Sequence, residues 1–289
     1  LPNLYITPAE VKDVAPDVIR SSTTKYDDAM LRMAQAISRA IDAWTGRHFF
    51  PRLEARYFTA SDGMELWVDD LISITSVKAD EDGDRTYETT WASTDYDLRP
   101  HNALGSYHKL TVTPEGNNAF PTRLERAVEI TGVWGFVDDR GAAWEDSTDE
   151  VEDDPLAAAD TSITVNDVDG KNLYGIDPRF YAGLLCRLGS EYTEITAVAE
   201  SAGQILTAIR GVNGTTAAEH VQNTQIDIWR PPANVGLAAQ IMAIRQYQRA
   251  SQHYADARAN PEIGQLMYTK KMDPEAAELL EPYRRLAYV

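Results

Sequence analysis

The sequence predicts an α+β protein with two helical stretches, two separate β-rich regions and a composition break between them. Three observations carry that expectation. Apolar residues recur at three- and four-residue steps near both ends, in "YDDAMLRMAQAISRAIDAWTGR" and "VGLAAQIMAIRQYQRASQHYADARA", the spacing of a one-sided helix. The period changes to two from Pro51 to Asp139 and again from Thr161 to Trp229, with Gly, Asp and Asn between the runs, as in antiparallel strands. Charge is uneven. Of the net −18, −11 falls between Ala142 and Pro232, where 16 acidic residues meet 5 basic ones.

The first helix starts at "TPAE", where Thr7 caps, Pro8 takes the first helical position and Glu10 closes a capping box. In the second, Asp27 or Asp28 begins a helix whose stripe of Met30, Met33, Ala34, Ile37, Ile41 and Trp44 reads as core, and Gly46 ends it in a left-handed cap. "ARYFTA", "MELWV", "ISITSVKA", "YDLRP", "HKLTVTP" and "RAVEITGVWGF" then predict a small antiparallel sheet. "EDSTDEVEDDP" places seven carboxylates between Glu145 and Asp154. Their mutual repulsion and the lack of apolar surface predict a solvated linker; the alternating Asp positions and central Gly of a calcium loop are missing.

"TSITV", "AGLLCRLG", "EYTEITAV", "QILTAIR" and "QIDIW" predict five short strands, an all-β barrel or sandwich closed by Pro231 and Pro232. The long C-terminal helix from about Asn234 carries Leu237, Ile241, Ile244, Tyr247, Ser251 and Tyr254 on one face, and "DPEAAELLEPYRRLAYV" restarts at Asp273 and Pro274. The domain reading is therefore 1–140 for the helices and first sheet, 141–155 for the acidic linker, 156–230 for the inserted β-module and 231–289 for the long helix and tail.

Catalytic signatures are missing: the chain has no GxxxxGK[ST], HExxH, GxSxG or CxxC. His48, His101, His108, His220 and His253 match no common zinc spacing. No catalytic residue, metal ligand or cofactor is expected. Cys186 stands alone in an apolar run and reads as a packed structural thiol in an intracellular protein. The stretch "RGVNGTTAAEH", Arg210 to His220, crowds polar groups like an active site, but Asn213-Gly214 tolerates positive φ and Thr215 and Thr216 suit a turn. The reading is a tight turn. A net charge of −18 argues against gripping a nucleic-acid backbone, and no apolar run reaches membrane-helix length.

Four stretches, in this order, resemble the head–tail connector proteins (adaptor or head-completion proteins) of tailed bacteriophages. They are "SRAIDAWTGRHFF" with its Ile-Asp-x-Trp-Thr-Gly-Arg-x-Phe pattern, "LWVDDLISITSVK" as a strand pair with a short turn, "YDLRPHN" followed by "AVEITGVWGF", and "RPPANVGLAAQIMAIRQYQRA". They span most of Tyr5–Asp139 and Pro231–Ala257; the departure is Gly141–Arg230, where simple adaptors pass almost directly to the last helix. The resemblance implies a helical adaptor domain with an inserted β-module. It implies a non-enzymatic virion part made in the bacterial host cytoplasm and placed at the neck. There it would form a dodecameric ring below the portal protein, extend the DNA channel without sequence-specific DNA binding, and dock a neck or tail protein. The tail "YRRLAYV" would grip the portal, through Arg284, Arg285, Leu286, Tyr288 and Val289. The alternative is a virion-associated carbohydrate- or host-binding protein, with Trp144, Tyr174, Tyr181, Tyr192 and Trp229 of the β-module as its platform. A metal-dependent nuclease using the acidic run lacks ligand spacing.

Overall fold

The computed structural model describes residues 3–14, 26–116, 118–175, 178–200, 203–251, 257–260, 265–268 and 273–285, with only the backbone described at 251, 257–260 and 265–268. The Thr7 amide donates to Glu10 Oε2 at 2.8 Å and the Glu10 amide to Thr7 Oγ1 at 3.3 Å. This reciprocal pair opens α1 (Pro8–Val14). Helix α2 (Asp27–Thr45) ends as the sequence predicts, with Gly46 at φ 68° donating to the Asp42 carbonyl. Met30, Ala34, Ile37 and Ile41 are buried, whereas Trp44 is 39% exposed and leaves the expected stripe.

The period-two region folds into β1 (Arg52–Phe58), β2 (Glu65–Ala79), β3 (Thr89–Thr90), β4 (Tyr96–Arg99), β5 (Tyr107–Val112) and β6 (Val128–Trp134). The sheet order is β1-β6-β2-β5-β4 with β3 on β2, antiparallel throughout. A second six-stranded antiparallel sheet follows: β7 (Trp144–Glu150), β8 (Ser162–Thr164), β9 (Leu185–Leu188), β10 (Glu191–Ala199), β11 (Ile205–Ile209) and β12 (Gln225–Trp229), in the order β7-β12-β9-β10-β11-β8. Then come α3 (Ala233–Ser251), a separate ribbon of β13 (Ala257–Asn260) and β14 (Gln265–Tyr268), and α4 (Pro274–Leu280). Asp273 caps α4 by accepting from the Glu275 and Ala276 amides.

Several expectations are corrected. The chain is mostly β, so a helical adaptor domain with a small sheet does not describe it. The helices are four among the described residues, and each sheet has six strands. Nor is the second sheet a closed barrel; β7 and β8 end its path, approached by the isolated bridge Val151–Val165. "LWVDDLISITSVK" is not two strands with a turn but the single 15-residue β2. Asp69 and Asp70 sit where its register with β5 shifts, between Trp67 and Leu71. The pair stays in the strand because Arg56 and Arg285 meet Asp69 and Arg47 meets Asp70.

The acidic run is no linker. Trp144–Glu150 is strand β7, with Glu145, Ser147 and Asp149 buried. Helix α3 is described from Ala233 to Ser251, with Tyr254 of the expected stripe outside the described residues. It buries Val235, Ala238, Ala239 and Ala243, and Ile241, Ile244 and Tyr247 of that stripe pack against the same core, while Leu237 is 45% exposed. Small residues let α3 approach α2 closely, so the larger side chains mark its flank rather than its centre.

The core falls into three clusters. One lies on the inner face of the first sheet around Trp134 and Leu110, and one within the second sheet around Phe180 and Leu188. The third joins the parts: Leu4, Tyr5 and Phe49 pack with Ile41 and Ala239 of the helices, with Leu185, Tyr192 and Trp229 of the second sheet and with Val212 of the turn that follows β11. Burying apolar side chains from both regions in one cluster makes them one body at that seam.

Candidate functional site

The corner "AWTGRHFF" and the segment Tyr283–Arg285 build one site. Gly46 turns the backbone out of α2, which brings Arg47 under the C-terminal segment. Arg47 Nε donates to the Tyr283 carbonyl at 2.8 Å, its guanidinium pairs with Asp70, and it lies 4.9 Å from the Phe136 ring centroid. The Arg285 amide donates to the Thr45 carbonyl at 2.7 Å, and its side chain reaches Asp69 at 2.6 Å. Burial alone would push the Asp69 carboxyl up, but the bonds from Arg285 and Arg56 hold it below the usual carboxylate range. Tyr283 meets Phe49 and Phe136 edge-on and donates to Asp138 at 2.9 Å. Arg284 lies 5.4 Å over the Trp44 ring. Beside these groups opens a cleft of about 440 Å³ walled by Arg47, Asp69, Trp67, His108, Arg284 and Arg285.

Of the residues the sequence singled out as gripping a partner, Arg284 and Arg285 thus stand at this cleft. Leu286, Tyr288 and Val289 lie outside the described residues. The sequence reading missed Trp44, Arg47, Asp69, Asp70 and Trp67. The available signal was the Asp69-Asp70 pair inside the apolar, β-branched run "LWVDDLISI": two carboxylates inside a strand call for cationic partners.

The "RGVNGTTAAEH" segment does turn the chain, with Asn213 at φ 52° and Gly214 at φ 85°. It also does two things the sequence did not disclose. Its ends clamp one carboxylate: Glu191, 1% exposed, accepts from Arg210 Nε at 2.6 Å and Nη2 at 2.7 Å, and from the Gly211 and Ala218 amides at 3.0 and 2.9 Å. His220 Nε2 completes the set at 2.9 Å. Burial opposes ionisation here, yet these bonds draw the Glu191 carboxyl down to about 2. The tip then docks on the other sheet, as the Leu53 amide donates to the Asn213 carbonyl at 2.9 Å and Asn213 Nδ2 donates to the Pro51 carbonyl at 3.0 Å.

The remaining chemistry-bearing groups are bound into the fold in the same way. Glu145 accepts from Asn172 at 2.6 Å and Arg230 at 2.9 Å, and Asp149 from the Asn166 and Asp167 amides at 3.1 and 3.0 Å. Cys186 is buried, and burial pushes its thiol up to about 12, away from any nucleophilic role. His48 is held below its usual range by burial and then by Arg56; His253 lies outside the described residues. The proposed aromatic platform does not assemble. Trp229 and Tyr192 are buried, Trp144 packs 5.1 Å from Tyr192, Tyr181 donates to Glu10 at 2.8 Å, and Tyr174 stands apart at 72% exposure. Asp80, Asp82, Asp84 and Glu88 bring carboxylate oxygens within 4.8 Å of one another, the set among the described residues that could hold a cation. Asp80, however, spends its oxygens on the Gly83 and Arg85 amides.

Comparison with protein-family models and with curated proteins finds no match. Among the described residues, no helix is long and apolar enough to cross a membrane. Among the described residues, the C-terminal corner presents aromatic faces, guanidinium groups and a cleft, groups whose chemistry suits recognition.

Proposed function

We propose that the chain is a structural, non-enzymatic part of a phage virion, a connector that forms a ring below the portal, extends the DNA channel and docks the next neck or tail protein. The observation that carries the reading is the C-terminal corner. The "IDAWTGRHF" pattern that resembles the connector family is the place where Tyr283 and Arg285 are held, through Arg47 to Tyr283 and Thr45 to Arg285. A resemblance motif that serves as the socket of the predicted portal-gripping segment supports a docking role. A mostly β build does not oppose it, since function is argued from the site and not from the layer architecture. The chain's acidity also suits the role: carboxylates facing a channel repel DNA phosphates and keep the path from adhering.

The test is immunogold labelling of purified virions with antibody to this chain. Label at the junction of head and tail is the expected result. Label confined to tail fibres, or none on intact or disrupted particles, overturns the proposal. A sugar-binding role through the β-module draws no support from the placement of its aromatics.

A further inference from the structure

A pocket of about 270 Å³ opens where the N-terminal segment and α1 meet the second sheet and the start of α3. Its wall is chiefly aliphatic, from Leu4, Ile6, Val14, Leu184, Leu185 and Pro231. Glu10 and Asp13, one turn apart on α1, bring two carboxylates to it. Asp13 and Val14 are exposed and mark its mouth, whereas Trp229, 3% exposed, lies deep.

The charge at the mouth is not cancelled within the fold. Arg230, in the same wall, donates to Glu145 at 2.9 Å and to Tyr181 at 3.1 Å, and stands 3.6 Å from Glu10. Glu10, Asp13 and Glu145 against Arg230, three carboxylates to one guanidinium, leave a net −2. The neighbouring cation of α1, Lys12, is held by Asp27 at 2.6 Å. Asp13 itself makes no hydrogen bond or ion pair among the described residues. At the deep end a different need is open. The indole N–H of Trp229 is buried without a hydrogen-bond partner among the described residues, and a buried donor gains from an acceptor that reaches it.

We infer that this pocket binds a small aliphatic amine whose far end carries an oxygen acceptor, as in an ω-amino amide. The ammonium sits at Asp13 and Glu10, the methylene stem runs along Leu4, Ile6 and Leu184, and the oxygen accepts from Trp229. Charge selects the cation, the aliphatic wall selects the stem, and the open donor selects the oxygen. The pocket holds roughly nine waters' worth of volume at about 30 Å³ each, which suits a guest of that size. The order of groups from mouth to floor favours a free molecule over a lysine of a protein partner. A lysine would enter ammonium first and end at the donor, leaving its amides beside the carboxylates. The site goes beyond the connector reading and does not depend on it.

The test is isothermal titration calorimetry of the full chain with 5-aminopentanamide. Saturable binding with a Kd of about 1 mM or tighter is expected. Pentanamide, which lacks the ammonium, and pentylamine, which lacks the oxygen, should each bind at least roughly fivefold more weakly. Asp13→Asn should lose roughly fivefold in affinity with an unchanged thermal transition, because the side chain supports nothing in the fold. Glu10 is left in place because it closes the start of α1. Trp229→Phe keeps an aromatic ring without the donor and should bind 5-aminopentanamide and pentylamine alike; should that variant not fold, the same comparison on the intact chain still reads the donor. No saturable heat up to about 10 mM, pentanamide or pentylamine binding as tightly as 5-aminopentanamide, or Asp13→Asn binding as the intact chain does, would overturn the inference. Nα-acetyl-lysine methylamide binding as tightly as 5-aminopentanamide would also overturn it, by assigning the pocket to a protein's lysine.

Discussion

At Gly214 a Cβ would stand 1.9 Å from the Leu53 carbonyl oxygen, at a φ of +85°. From sequence, Asn213-Gly214 licenses only the positive φ, a cost of about 1–2 kcal/mol for a substituted residue. The close approach adds steric displacement at a seam between two sheets, so Gly214→Val should cost at least about 3 kcal/mol in urea unfolding. A loss below about 1 kcal/mol would mean the seam yields freely. Glu191 makes the matching electrostatic case. Its carboxyl lies at about 2 in the fold against an ordinary 4.5. A depressed carboxylate contributes stability that is present above the unfolded value and lost as pH falls from about 4.5 towards 2. Glu191→Ala leaves Arg210 buried without its partner and should cost about 3–5 kcal/mol at pH 7. It should also flatten the acid limb of the melting-temperature profile, and an unchanged limb would assign the acid sensitivity elsewhere. The turn was legible in "VNGT" because positive φ leaves a residue signature. The clamp was not, since Glu191 lies 19 and 29 positions from Arg210 and His220, and nothing local records that pairing.

Elements defined by their own pattern were read well, and those decided by distant partners were not. The start of α1, the end of α2 at Gly46 and the five strands from Ser162 to Trp229 follow from caps, glycine and alternation. Strand β7 was read as a linker because "WEDSTDE" carries four carboxylates, whose partners Asn172, Arg230 and backbone amides come from elsewhere in the chain. The same blindness split β2, where Arg47, Arg56 and Arg285 make Asp69-Asp70 tolerable. The stripe on α3 was read in part: Ile241, Ile244 and Tyr247 pack against the core, but Leu237 is exposed and the most deeply buried positions are Val235, Ala238, Ala239 and Ala243. These corrections change an engineering expectation. An acidic linker and a proline stop would let residues 141–229 be cut out cleanly. Instead Leu185, Tyr192, Val212 and Trp229 share a core cluster with α2 and α3, so the deletion exposes that cluster. The shortened chain should lose its single cooperative thermal transition and bind a hydrophobic dye. A sharp transition retained after deletion would show that the helices and first sheet stand without the second sheet.

Across the whole molecule the corner around Gly46 is where the ends and the sheets meet, and it sets how the C-terminal segment should behave. A tail that served only to grip a partner would add little to the fold, and removing Arg284–Val289 would then change stability by no more than about 0.5 kcal/mol. The structure carries the packed segment further. Tyr283 is 8% exposed among Phe49 and Phe136, and Arg285 bonds Thr45 through its amide and Asp69 through its side chain. Two truncations separate what holds the fold from what would grip a partner. Ending the chain at Arg285 removes Leu286 to Val289 and leaves every bond described here in place, so its unfolding free energy should stay within about 0.5 kcal/mol of the full chain. Ending it at Tyr283 also removes the Arg285 contacts and uncovers Asp69, at a cost of about 1–2 kcal/mol. If the chain is a connector that holds the portal by its tail, both forms should fail to join DNA-filled heads in a pull-down, the first while fully folded. A chain ending at Arg285 that joins the heads normally would move portal recognition off the final residues, leaving the 440 Å³ cleft beside Arg284 and Trp67 as the surface to mutate next.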